Sequence, residues 1–122
     1  MSREALDRFG RFLMNGVRDR AIRHWDMVLR GQMKDDESQR LYSSIITLSP
    51  EARAIVSEVV PKIVDTSLHN FLQSLDDVDD IQVAVDTESG RIESISDASD
   101  GLAGELYSEH GWFRRFSDER QE

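Results

Sequence analysis

The residues that could do chemistry here are few, and the three histidines, His24, His69 and His110, are the first to weigh. His69 stands four residues after Asp65, and on a helix that spacing lets a carboxylate orient an imidazole as a general base. A base also needs a group to activate. No serine nucleophile motif accompanies the pair, and cysteine is absent from the chain. The run Asp76-Asp77-Val78-Asp79-Asp80 and the stretch Asp97-Ala98-Ser99-Asp100-Gly101 have the composition of cation loops. Neither has the alternating acids, the central glycine and the closing glutamate that a calcium loop requires. Asp97, Asp100, Glu105 and Glu109 could supply the two carboxylates of a glycosidase, but a chain with 24 Asp and Glu makes such pairs without design. The seven glycines form neither the phosphate-loop nor the dinucleotide-binding pattern, which disfavours nucleotide chemistry. These residues define no catalytic centre, no metal site and no cofactor.

The segment from Ser96 to Ser117 offers a different kind of chemistry. Glycines at 101, 104 and 111 alternate with Tyr107, Trp112, Phe113 and Phe116, and Trp112, Arg114 and Arg115 are of the types enriched in binding hot spots. With Asp97, Asp100, Glu105 and Glu109 they form the set of candidate binding residues. This block, Ser99-Asp100-Gly101-Leu102-Ala103-Gly104-Glu105-Leu106-Tyr107 followed by Gly111-Trp112-Phe113-Arg114-Arg115-Phe116-Ser117, resembles the ending of a group of small uncharacterised bacterial proteins. Leu6-Asp7-Arg8-Phe9-Gly10-Arg11-Phe12 and Leu68-His69-Asn70-Phe71-Leu72 are similar to the same group, so the likeness covers most of the chain. The resemblance implies a compact bacterial domain and carries over no activity.

Charge narrows the choice of partner. The formal charge of −9 is uneven: residues 1–34 carry eight Lys/Arg against four Asp/Glu, whereas Asp76 to His110 holds eleven acids and one base, Arg91. Such a field repels phosphate backbones and attracts basic surfaces, so a basic protein is the expected partner and nucleic acid is not. No apolar run approaches the roughly 20 residues of a membrane helix and no secretion signal is visible, which with the missing cysteines suits a cytoplasmic setting.

The elements that must position these residues follow from periodicity. Ser49-Pro50-Glu51 reads as a helix start, with the serine oxygen capping and proline at the first helical position. Apolar residues then recur at helical spacing from Ala52 to Leu75, predicting a core helix with Ile63 and Phe71 on buried faces. Pro61 lacks the amide that would bond the Ser57 carbonyl and predicts a kink or short break. Near the N-terminus, the set Ala5, Leu6, Phe9, Phe12 and Leu13 is out of phase by roughly a third of a turn with Val17, Ala21, Ile22, Trp25, Val28 and Leu29. Asn15-Gly16 lies at the junction, so either two short helices or one bent helix is allowed. Asp19 with Arg23 and Asp26 with Arg30 have the spacing of surface ion pairs. Gly31 reads as a C-cap, and Asp36 with Gln39 as a capping box opening a helix to about Thr47.

Ile81-Gln82-Val83-Ala84-Val85-Asp86 alternates as a strand, Thr87 to Gly90 is turn chemistry, and Arg91 to Ile95 returns as a second strand with a bulge or early end. The C-terminal block should fold back on the helices with one short helix over 102–109, and only 118–122 should fray. The predicted architecture is one mainly helical α+β domain over 1–122. It has four or five helices over about 3–31, 36–47 and 50–75, a small antiparallel hairpin over about 81–95, and the block 96–117 packed back. The functional class that fits is an acidic bacterial protein that binds a basic protein, of the immunity or antitoxin kind. The alternative is a small hydrolase or ligand-binding enzyme using His69 with nearby carboxylates.

Overall fold

The computed structural model describes residues 3–120. Helix α1 (Glu4–Leu13) continues through a π-helical turn (Met14–Arg18) into α2 (Asp19–Leu29); α3 (Asp36–Ile45) and the long α4 (Pro50–Asp77) follow. Strands β1 (Val85–Thr87) and β2 (Gly90–Ile92) pair antiparallel with Val85 opposite Ile92, and two 3-10 turns (Ser96–Ala98, Ala103–Leu106) lead to α5 (Trp112–Phe116). This is the α+β, mainly helical arrangement, with the hairpin and C-terminal block lying back on the helices.

The phase slip in the first helical run has a physical cause. In an α-helix Val17, four residues after Leu13, would follow it inward. The π turn takes in one extra residue, so Arg18 arrives there instead. From that point the inner face carries Arg18, Asp19, Ile22, Asp26 and Val28, while Val17 and Trp25 face out. The predicted surface pairs of Asp19 and Asp26 are therefore replaced. Asp19 accepts from Ser117 Oγ at 2.5 Å and from the Asp118 amide at 2.9 Å, and Asp26 accepts from Arg120 Nη1 at 2.7 Å. The hydrogen bond to Asp26 holds the Arg120 guanidinium above the usual arginine range. Residues 118–120 are thereby pinned and not frayed; Gln121 and Glu122 lie outside the described residues.

Local caps fall close to expectation. Gly31 adopts φ +75 beside the Tyr42 ring, where a Cβ would come within 2.7 Å, and Ser49 Oγ accepts from the Ala52 amide at 3.1 Å. The cap of α3 is Asp35, not Asp36. Its carboxylate takes the Ser38 amide at 3.1 Å, and hydrogen bonding from the Ser38 side chain, then from that amide, holds its pKa below the ordinary aspartate value. Gln39 reaches the Met33 carbonyl at 2.6 Å instead and closes the connecting loop.

Helix α4 departs from expectation in two ways. It runs through Pro61 without the short break, and the Ser57 carbonyl that the proline leaves without its helical donor accepts from Arg120 Nη2 at 3.3 Å. Its burial is also lopsided: only Leu68, Leu72 and Leu75 are buried, whereas Ile63 is 61% and Phe71 45% exposed. The core lies at the other end of the helix. There Leu68, Leu72 and Leu75 join Leu6, Phe9, Leu13 and Met14 of the first helical run, Val85, Ile95, Leu102 and Leu106, around Trp112.

The hairpin is shorter than the alternation suggested. Ile81 is exposed and outside the ladder; a single bond from the Ile95 amide to the Val83 carbonyl, 2.9 Å, extends the contact beyond the three paired positions. The predicted helix over 102–109 is a 3-10 turn of four residues, and the α-helix of the block lies further on at α5.

Candidate functional site

A cleft of about 710 Å³ opens between α4 and the C-terminal block. Lys62, Asp65, Thr66 and His69 come from successive turns of α4, Arg18 from the π turn, Leu106 to Glu109 from the second 3-10 turn and its loop, and Phe113 and Arg114 from α5. The loop is tightly built: Ser108 takes φ 75, and a Cβ on Gly111 would lie 1.9 Å from the Tyr107 carbonyl oxygen, so only glycine fits there.

Arg18 organises the floor. Its guanidinium donates to both oxygens of Asp65 (2.6 and 3.2 Å), to Ser117 Oγ (2.6 Å), to the Glu119 carbonyl (3.2 Å) and to the Arg120 carbonyl. It lies over the Phe113 ring at 5.1 Å from the centroid and is 1% exposed. A buried cation of this kind is tolerable only when nearly every N–H finds an acceptor, and here the C-terminal segment supplies them.

Asp65 is consequently committed to Arg18 and does not orient His69. The imidazole Nδ1 meets Tyr107 OH at 2.8 Å, and Tyr107 packs edge-on to Phe113 with centroids 5.6 Å apart. The anticipated Asp65–His69 pair is corrected to a His69–Tyr107 pair. That arrangement is an imidazole–phenol hydrogen bond, and among the described residues no carboxylate is bonded to the imidazole.

The candidate binding residues scatter. Glu109 and Arg114 line the cleft together. Arg114 makes no ion pair or hydrogen bond among the described residues. Asp97 and Asp100 are exposed but belong to other surface. Glu105 is held by Arg3 at 2.6 Å and by Ser99 Oγ at 2.7 Å. Arg115 pairs with Asp7 at 3.0 Å, a bond that raises its pKa further, and stacks on Phe116 at 4.6 Å. Trp112 is not a surface anchor: it is 0% exposed, edge-on to Phe9 at 5.9 Å, in the middle of the core. Large aromatic area in a small domain is worth more inside than at a rim. The periodicity gave no sign of Arg18 or Tyr107, because both reach the cleft through contacts distant in sequence.

Two wider surfaces flank this site. Nine of the eleven carboxylates between Asp76 and His110 are exposed, on the hairpin, the C-terminal block and the adjoining end of α4. On α4 and the first helical run an apolar groove of about 450 Å³ is lined by Phe12, Leu13, Val17, Ala21, Ile63, Val64, Ser67, Leu68 and Phe71. Among the described residues no group of three or more His, Cys, Asp or Glu could hold a metal ion, and no helix is long and apolar enough to cross a membrane. The chain matches no family model, no curated protein and no solved structure.

Proposed function

We propose that this chain is a bacterial cytoplasmic protein-binding domain of the immunity or antitoxin kind that takes a basic protein at its acidic end. The observation that supports this most directly is the state of its carboxylates. Asp79, Asp80, Glu88, Asp97 and Asp100 are exposed and form no ion pair among the described residues, and Arg91 is the sole Lys or Arg of that segment. Uncompensated like charge on one end of a small domain costs self-repulsion, and it steers oppositely charged partners.

The test starts with capture of the partner from the source cell and its identification by mass, followed by association kinetics with the purified pair. Raising ionic strength from about 0.05 to about 0.5 M should slow association more than it speeds dissociation, because screening acts on long-range encounter. Asp97→Asn with Asp100→Asn should slow association in the same sense. An acidic partner, or rates indifferent to salt, would defeat the reading.

A hydrolase or ligand-binding enzyme is the second reading, favoured by the His69–Tyr107 pair in one cleft with Arg114, which has no ion pair among the described residues. It loses the carboxylate expected to serve His69, since Asp65 is held by Arg18. A hydrolytic activity of the wild type that disappears in a folded His69→Ala variant would establish it over the first.

A further inference from the structure

We propose that the exposed apolar face of α4 is the interface of a twofold dimer, with a second copy of this chain lying antiparallel across it. The inference concerns a face apart from the acidic end and does not depend on the binding of a basic protein there.

Three observations carry it. From Pro50 to Ser67 the helix has no buried residue, although Ala52, Ile55, Val56, Val59, Val60, Ile63 and Val64 occupy it. Ile55, Val59 and Ile63 are 60%, 40% and 61% exposed, and Ala52, Val56, Val60 and Val64 are only half-buried. Second, Ala52, Val56, Val59 and Ile63 are spaced by four, three and four, the 3.5-residue repeat of a helix seam, with Ile55 and Val60 flanking them. Arg53, Glu58 and Lys62 lie off that seam, so it carries no charge to repel its own image, as an isologous contact requires. The groove against Phe12, Val17 and Ala21 continues the same face and lets four helices, two from each copy, close around it.

The third observation is area. A compact 14.0 kDa monomer exposes about 6700 Å² by the scaling of surface with mass, whereas this chain exposes 7889 Å². The surplus, on the order of 1200 Å², is spread over the whole chain, the α4 face included, and leaves room for the roughly 800 Å² each partner gives to a standard interface.

Charge selects the orientation. Residues 1–75 hold eleven Lys/Arg against ten Asp/Glu, so the acidity of the molecule resides in the segment beyond, which lies at the C-terminal end of α4. Parallel pairing would bring two such ends together; antiparallel pairing sends them to opposite extremities and also opposes the helix dipoles. A twofold axis midway between Val56 and Val59 then sets Ala52 of one copy against Ile63 of the other, small against large.

The test is the solution mass of the isolated chain by light scattering or sedimentation. At about 0.1 mM, above the micromolar limit typical of weaker interfaces of this size, the wild type should have twice the chain mass. Ile63→Glu with Val59→Glu, and separately Ile55→Glu, should return it to a single chain mass with unchanged helical circular dichroism, since Ile55 and Ile63 are about three-fifths exposed in one copy. Asp97→Asn with Asp100→Asn should leave the dimer in place. The proposal is overturned by a monomeric wild type at that concentration, by glutamate variants that remain dimeric, or by loss of helical signal in both variants, which would show the face packed within one chain.

Discussion

Arg120 donates from Nη2 to the carbonyl of Ser57 at 3.3 Å, 63 positions away, and that carbonyl is the one Pro61 leaves without a helical donor. The same guanidinium grips Asp26 through both nitrogens, at 2.7 and 3.1 Å, so one side chain ties α2, α4 and the C-terminal segment together. Arg120→Ala should cost about 1 to 3 kcal/mol, the range for leaving the buried Asp26 carboxylate without its partner. Pro61→Ala should raise stability by about 1 to 3 kcal/mol, because an interior proline costs roughly 3 and the arginine recovers part of it. In the Pro61→Ala background Arg120→Ala should cost less than in the wild type. Chemical denaturation of the four proteins in a double-mutant cycle measures that coupling, and strict additivity would refute the link.

Gly10 and Trp112 touch so closely that a Cβ on Gly10 would lie 2.5 Å from the indole ring. Gly10→Ala should therefore destabilise by about 1 to 3 kcal/mol through overpacking, despite alanine's better helix propensity. Trp112→Ala should cost about 3 to 5 kcal/mol. Trp112→Phe should cost distinctly less, because the indole Nε1 is buried with no hydrogen-bond partner among the described residues and its removal strands nothing. Thermal melts of the three variants decide this; a stable Gly10→Ala protein would show that the helix and α5 do not meet as described.

Ser117 Oγ accepts from Arg18 Nη1 and from the Glu119 amide while donating to Asp19. Ser117→Ala should cost about 1 to 3 kcal/mol, since it leaves a buried carboxylate and a buried guanidinium each one bond short. Arg18→Lys should not preserve stability, because a single ammonium cannot supply the fork that spans Asp65 and three acceptors of the C-terminal segment. Equilibrium unfolding monitored by circular dichroism would show it, and a wild-type midpoint for Arg18→Lys would contradict the network.

What could be read from the residues alone was whatever neighbours in the chain decide. Ser49 before Pro50 starts α4 and Gly31 ends α2, because capping is satisfied within a few residues. The mainly helical α+β class follows from periodicities of 3.6 and 2, and the three-residue ladder differs from the longer predicted strand only in extent. The direction in which each apolar face points was a tertiary matter. A π turn of five residues placed Arg18 where Val17 would have gone, and Ile63 and Phe71, apolar and correctly helical, stayed 61% and 45% exposed. The candidate cleft was legible only in His69, Glu109 and Arg114, since Arg18, Asp65 and Tyr107 acquire their roles from partners 38 to 102 positions away. Helix phase and caps are short-range energies that a window of sequence contains. Which buried charge meets which acceptor, and which apolar face stays open, depend on the packing of the whole chain.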